Sequence, residues 1–287
     1  MLEHVINGLV LGGTYALVAM GLTMQYGIAR IMNLSFGDMI IAACFATHVL
    51  FTALGISPIA ALLIIVPASY AINLGIYQVM MKPLVSRAAD EGALEVDSIL
   101  LTFGVLFVIQ GILLIMFGGG YNSYSFLNTP VKMLGTVVAG NRLLALVLSL
   151  AIGAVLVFIL YRTRWGMILR AVSLSPQSAP LFGIDTDRTA RTAFAIGGAM
   201  AATGGVVVSM FQTFTATAGV VFTMKALIVV ILGGKGSIPG AIAAGLLLGL
   251  VETFVAAYVD PGLTLAAVYS VFLLLLLVRP NGLFGKV

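Results

Sequence analysis

A chain of 287 residues with 61% hydrophobic and 8% charged residues cannot cover a water-facing surface, since soluble domains carry roughly 25% charged residues. At a mean hydropathy of +1.17, the solvent for most of it is lipid. The formal net charge of +4 is spread over the connections between apolar stretches, which fits a positive-inside bias better than a nucleic-acid surface.

No Asp, Glu, Lys or Arg occurs in 4–29, 39–81, 98–131 or 192–224. A helix needs about 20 apolar residues to cross the hydrocarbon core. The 43 residues of 39–81 therefore hold two crossings, divided at Gly55-Ile56-Ser57-Pro58. In chain order the predicted spans are 5–27, 36–53, 59–81, 98–118, 142–161 and 189–213, then a Gly-interrupted pair at 222–232 and 240–258, and last 263–279. The fold class is all-α: one polytopic transmembrane bundle over 1–287, with about eight spans including a broken or re-entrant pair. Met1-Leu-Glu-His-Val-Ile-Asn-Gly8 lacks the basic region and cleavage site of a signal peptide, so the first segment reads as a retained span. Cys44 is the only cysteine, which excludes an internal disulfide.

Arg30, Lys82, Arg87, Arg162, Arg164, Arg170, Arg188, Arg191, Arg279 and Lys286 collect on one face, and Lys132, Arg142 and Lys225 on the other. The positive-inside rule makes the first face cytoplasmic, with the N-terminus outside and the C-terminus inside. Connections 82–97 and 162–191 are then cytoplasmic, and 119–141, rich in Gly, Asn, Ser and Tyr, is external.

Four constellations stand out. In Gly27-Ile-Ala-Arg-Ile-Met-Asn-Leu-Ser-Phe-Gly-Asp38, the residues Asn33, Ser35, Gly37 and Asp38 favour unwound backbone with local capping. The same residues also fit a tight turn in which Asp38 is the first-turn acid of the next helix. Gly233, Gly234, Gly236 and Ser237 split one apolar region into an 11-residue arm too short to cross and a 19-residue arm. This run lacks the spacing of a phosphate-binding loop. Gly8 and Gly12, Gly197, Ala201 and Gly205, and Ala241, Gly245 and Gly249 recur at four-residue spacing, which suits close packing within the bundle. Glu252 reads as the sole acid well inside a span, either lining a pathway or serving as a structural acceptor.

Segment 162–191 carries five Arg and two Asp. Ile168, Leu169, Val172, Leu181 and Phe182 would form an apolar stripe on a short helix and turn. Pro176 would start a second helical turn capped by Ser175, and Gly183 would end it. Such an element suits docking into a partner's groove, and equally a basic loop lying on anionic headgroups. His4 and His48 are isolated, and no metal-ligand cluster or nucleophile–base pair can be assembled.

Read together, these segments resemble the permeases of branched-chain amino acid ABC importers, the LivH/LivM type. Gly8-Leu-Val-Leu-Gly-Gly-Thr-Tyr-Ala-Leu-Val-Ala-Met-Gly-Leu-Thr-Met-Gln-Tyr-Gly27 resembles the family's opening helix, and Asn33-Leu-Ser-Phe-Gly-Asp38 its Asn-Phe-Ala-His-Gly-Glu-like motif. Arg164-Trp-Gly-Met through Leu181-Phe-Gly-Ile-Asp185 is similar to its cytoplasmic coupling segment. Leu232-Gly-Gly-Lys-Gly-Ser-Ile-Pro-Gly240 through Glu252 is similar to its Gly-Gly-x-Gly-Ser block. Gln177-Ser178 stands where a Glu-Ala-like pair is common, and Phe36 replaces the usual His; the second departure leaves related solutes such as urea, short amides or other amino acids open. Length and the N-terminus favour the LivH-like member of the pair.

The resemblance implies a permease of the bacterial or archaeal inner membrane, and not an enzyme. Its implied partners are a LivM-like second permease, two LivF/LivG-like ATPases that hold ATP and Mg, an external substrate-binding protein and membrane lipid, with no nucleic acid. No cofactor is implied in this chain. It further implies that Ile168, Leu169, Arg170, Val172, Ser173, Pro176, Gln177, Leu181, Phe182 and Gly183 form the ATPase coupling surface. Asn33, Ser35, Gly37, Asp38, Gly233, Gly234, Gly236, Ser237 and Glu252 are the candidates for the substrate pathway. A channel built on re-entrant half-helices is the rival, but no Asn-Pro-Ala-like repeat is present and a passive pore needs no Arg-rich helix. A secondary transporter would place acids at the midplane, where Asp38 and Glu252 are the candidates.

Overall fold

A computed structural model describes residues 1–88, 90–133 and 136–284. Lys286, assigned above to the Arg-rich face, lies outside them. Eight helices among the described residues are long and apolar enough to cross a membrane. Two of these are central: α1 (Leu2–Ala29) and α8 (Thr186–Ser209), with 72% and 89% of their most apolar stretches buried, against 6% for the last span.

Small residues explain why α1 and α8 sit there. A Cβ on Gly12 would lie 2.7 Å from the Leu246 Cα in α10 (Ile238–Tyr258), and one on Gly21 would lie 2.7 Å from the Met200 Cβ in α8. Neither position has room for a side chain, so the backbones touch. Gly8 meets Gly249 and Leu250, Gly245 meets Ala16, and Gly205 meets Ile40 and Ala43 of α2 (Phe36–Leu54). The four-residue spacing is internal packing.

The periphery follows in chain order. After α2, Gly55 turns the chain at φ 66, and Ser57 and Pro58 open α3 (Pro58–Ile76). This helix continues through one π-helical turn, Tyr77–Met81, into α4 (Lys82–Arg87). The next helix, α5 (Glu91–Phe117), starts earlier than the span 98–118, so α4 and α5 take up most of connection 82–97. Its charged first turns extend the helix beyond the apolar stretch, and Asp90 caps it by accepting from the Ala93 N–H at 2.7 Å.

Region 119–141 is more ordered than an open loop. It holds an antiparallel hairpin, β1 (Pro130–Met133) and β2 (Thr136–Ala139), with Pro130 opposite Ala139. Then come α6 (Gly140–Arg162), α7 (Arg164–Leu174), α8, α9 (Gly219–Gly233), α10 and α11 (Thr264–Val278). Span 189–213 stops short, because α8 ends at Ser209 and an irregular stretch pairs Phe214 with Asn122 before α9. The short apolar arm is α9, 15 residues long. We call the two ends of the bundle the Arg-rich end and the hairpin end.

Candidate functional site

The first predicted group lies inside the bundle. After α1, Arg30 takes a left-handed conformation (φ 55) and the chain folds back along the helix it has just left. Asn33 Nδ2 donates to Gln25 Oε1 at 3.0 Å, and Gln25 Nε2 donates to the Phe194 carbonyl at 3.0 Å. The irregular backbone is satisfied by side chains from two helices, α5 and α9. Met32 N–H donates to Ser98 Oγ (3.1 Å), Leu34 N–H to Thr102 Oγ1 (3.0 Å) and Gly37 N–H to Thr223 Oγ1 (2.8 Å). Ser35 N–H and its hydroxyl both donate to Asn33 Oδ1, at 3.0 and 2.7 Å. Unwound backbone survives in a membrane protein only with such partners, so of the two readings of this motif the buried, unwound one fits.

Asn33, Ser35, Gly37 and Asp38 are all buried. Asp38 is in the first turn of α2, as the turn reading also had it, yet it is 0% exposed and neither carboxylate oxygen has a hydrogen-bond partner. It packs on Gly219, where α9 begins, and a Cβ on Gly219 would lie 2.9 Å from the Asp38 Cα. Two helices thus start side by side within the bundle. Glu252 is not the sole interior acid; Asp38 is a second, more deeply placed.

The second group is Glu252 with two residues that sequence reasoning missed in this role. Lys225 Nζ donates to Glu252 Oε1 at 2.6 Å and to the Tyr15 hydroxyl at 2.6 Å. The Tyr15 hydroxyl donates to Glu252 Oε2 at 2.7 Å, closing a triangle. The Lys225 and Glu252 side chains are 12% and 14% exposed. Lys225 therefore belongs to the bundle interior and not to the face shared with Lys132 and Arg142. The available signal was a lone lysine in an apolar arm, costly unless an acid meets it.

The third group sits at the Arg-rich end. Gly233 and Gly234 are buried, while Gly236 is exposed and Ser237 half-buried, its Oγ accepting from the Gly240 N–H at 3.2 Å to cap α10. Gly234 and Gly236 take φ 99 and 79, a region that favours glycine. Gly236 backs onto Gly27, where a Cβ would be 2.8 Å from the Gly236 Cα. Ser173 Oγ on α7 donates to the same Gly27 carbonyl at 2.7 Å. The nine predicted pathway residues therefore occupy three places, and no single one.

The segment 162–191 folds as α7, a 3-10 turn Ala179–Phe182 and the first turns of α8. Thr163 Oγ1 caps α7 by accepting from the Gly166 N–H at 3.1 Å. Two members of the proposed stripe are misassigned: Leu169 and Val172 are 0% and 1% exposed, and Leu169 packs with Met24 and Leu160. They anchor α7 to the bundle. The exposed face carries Met167, Ile168, Leu174, Leu181 and Phe182, the last two 85% and 80% exposed. Arg170 lies over the Tyr161 ring at 5.0 Å. The second turn begins at Ala179 rather than Pro176, because Ser175 Oγ is engaged with Ser178 Oγ at 2.9 Å instead of capping it. Gln177 is exposed in the intervening turn, and Gly183 ends the element at φ 74 as expected.

Among the described residues, no group of three or more His, Cys, Asp or Glu side chains could hold a metal ion. No solved structure matches the chain. Curated relatives do. The chain is 29% identical to the high-affinity branched-chain amino acid transport system permease protein LivH of Escherichia coli K12, over 99% of this chain and 96% of that one. It is 26% identical to the corresponding permease protein BraD of Pseudomonas aeruginosa, with the same coverage. It is 25% identical to a probable branched-chain amino acid transport permease protein LivH of Methanocaldococcus jannaschii, over 97% of this chain and 91% of that one. The family profile described as branched-chain amino acid transport system / permease component matches residues 4–279. With its multi-pass apolar bundle and full-length match, the chain belongs to that family of transport permeases.

Proposed function

We propose that this chain is one of two membrane-spanning subunits of an ATP-driven importer, passing branched-chain or similar small amino acids handed over by an external binding protein. A LivM-like permease would complete the path, and two LivF/LivG-like ATPases would supply the power, holding the ATP and Mg. In this reading the Arg-rich end faces the cytoplasm, with 162–191 as the coupling segment, and the hairpin end faces outward with 119–141. The pathway candidates Asn33, Ser35, Gly37, Asp38, Gly233, Gly234, Gly236, Ser237 and Glu252 then lie along the route, at its middle and two ends.

The observation that carries this is the corner Leu181–Phe182. Two large apolar side chains stand in solvent at the Arg-rich end, on a turn closed by Gly183 and fixed through α7 to the bundle. Ser173 links that unit to the end of α1, and Gly236 links α1 to the start of α10. An ATPase can bias the permease only through contacts that differ between its two states, and this unit supplies such a contact. Replacing Leu181 and Phe182 with Asp would place unpaired charge in the partner's groove, at several kcal/mol once desolvated. The double variant should insert normally and lose its ATPases on purification. Wild-type co-purification with intact uptake would refute the coupling assignment.

A further inference from the structure

A cavity of about 410 Å³ opens between α1, α10, the start of α6 and the stretch after α8. Its wall is mostly apolar, with Val10, Leu11 and Phe211 among its lining, and two opposite charges face into it: Arg142 and Glu252. We propose that this cavity is an acceptor site for a zwitterionic α-amino acid, with Arg142 taking the carboxylate, Glu252 the ammonium and the apolar wall the side chain. The inference rests on the importer reading above and adds to it the place and chemistry of recognition.

Arg142 is the group that points to an anion. Its guanidinium donates from Nη1 to Asn7 Oδ1 at 2.8 Å, and among the described residues no carboxylate pairs with it. A guanidinium carries five N–H donors in a fork that matches a carboxylate, so most of this one is uncommitted. Its position in the first turn of α6 also sets it against the helix dipole, which stabilises anions rather than cations there. A half-buried cation held without an acid and against its own helix is best satisfied by a bound carboxylate.

Glu252 supplies the opposite pole. Its two oxygens each accept one bond from Lys225 or Tyr15, neither of which lines the cavity. A carboxylate has about four acceptor sites, so two remain for an ammonium arriving from the cavity side. Lys225 neutralises Glu252 before substrate arrives, which leaves Arg142 as the net charge of the site. Recognition should therefore depend more on the substrate's carboxylate than on its amine.

The test uses the complete importer in proteoliposomes with saturating leucine-loaded binding protein. Arg142→Gln should lower leucine uptake per ATP hydrolysed at least about tenfold, or about 1.4 kcal/mol. Arg142→Lys, which keeps the charge without the fork, should fall between. Unchanged uptake per ATP in Arg142→Gln overturns the proposal. A second arm needs neither assembly of that variant nor ATP-driven uptake. In a Cys44→Ala background without binding protein, Ala256→Cys at the cavity wall is titrated with a membrane-impermeant thiosulfonate. Millimolar leucine should slow labelling and leucinol, which lacks the carboxylate, should not; equal labelling with and without leucine overturns the site. Should the wild type show no ATP-driven uptake, the importer reading fails, and the labelling arm still decides the cavity.

Discussion

Lys225→Met separates the charge balance of the Tyr15–Lys225–Glu252 triangle from its packing. The substitution keeps a long apolar stem and leaves the Glu252 carboxylate, 14% exposed, with the Tyr15 hydroxyl as its remaining partner. Removing one member of a buried ion pair costs about 3–5 kcal/mol, because the other charge stays buried and uncompensated. Adding Glu252→Gln removes that charge and keeps an acceptor for Tyr15, so the double variant should sit only about 1 kcal/mol below wild type. For a chain of this size each kcal/mol moves Tm by about 2–4 °C, giving a fall of about 6–20 °C for the single variant and about 2–4 °C for the double. Cys44 is the assay: buried at 0% exposure, it reacts with a thiol-reactive fluorophore only as the bundle opens. A double variant that melts lower than the single one would refute the pairing argument.

Gly12→Val should lower Tm by several degrees, since its Cβ meets Leu246 backbone at 2.7 Å, whereas Gly104→Ala, with open space around it, should melt as wild type. Thr223→Val removes the acceptor for the Gly37 N–H and the donor to the Leu34 carbonyl, costing about 1–3 kcal/mol in the same melting assay, while Thr223→Ser should hold near wild type. Asp38→Asn should leave Tm unchanged or raised, because the carboxylate it replaces is buried without a partner; a large loss would reveal a partner for the charge. Ser123→Cys in a Cys44→Ala background should be labelled by an impermeant thiol reagent from the outside; labelling from the inside alone would reverse the orientation.

The spans were legible because lipid imposes a coarse code: long charge-free stretches and small residues where backbones meet. The break at 30–35 was legible too, as a cluster of Asn, Ser, Gly and Asp between two apolar runs. The Lys225 partnership was not, since Glu252 is 27 residues away and Tyr15 is 210, and no local window joins them. The end of α8 was hidden because the stretch after Ser209 carries no charge before Lys225 and no proline, so nothing in its composition marks the stop. For α7, periodicity announced apolar positions without saying which would face the bundle. Leu169 and Val172 lie on the side pinned by Ser173 to α1, a fact of tertiary packing. The start of α5 was misplaced for the reverse reason: Glu95 and Asp97 read as connection, yet a helix can run out of the apolar layer while its charges stay at least partly wet.

The most direct test of the account is uptake by the purified permease pair with its ATPases, reconstituted into vesicles with no ion gradient. The account predicts that labelled leucine accumulates above its outside concentration only when ATP is available to the ATPases and the binding protein is present. Equal uptake without ATP, running down the leucine gradient and no further, would contradict it and make the bundle a passive pore.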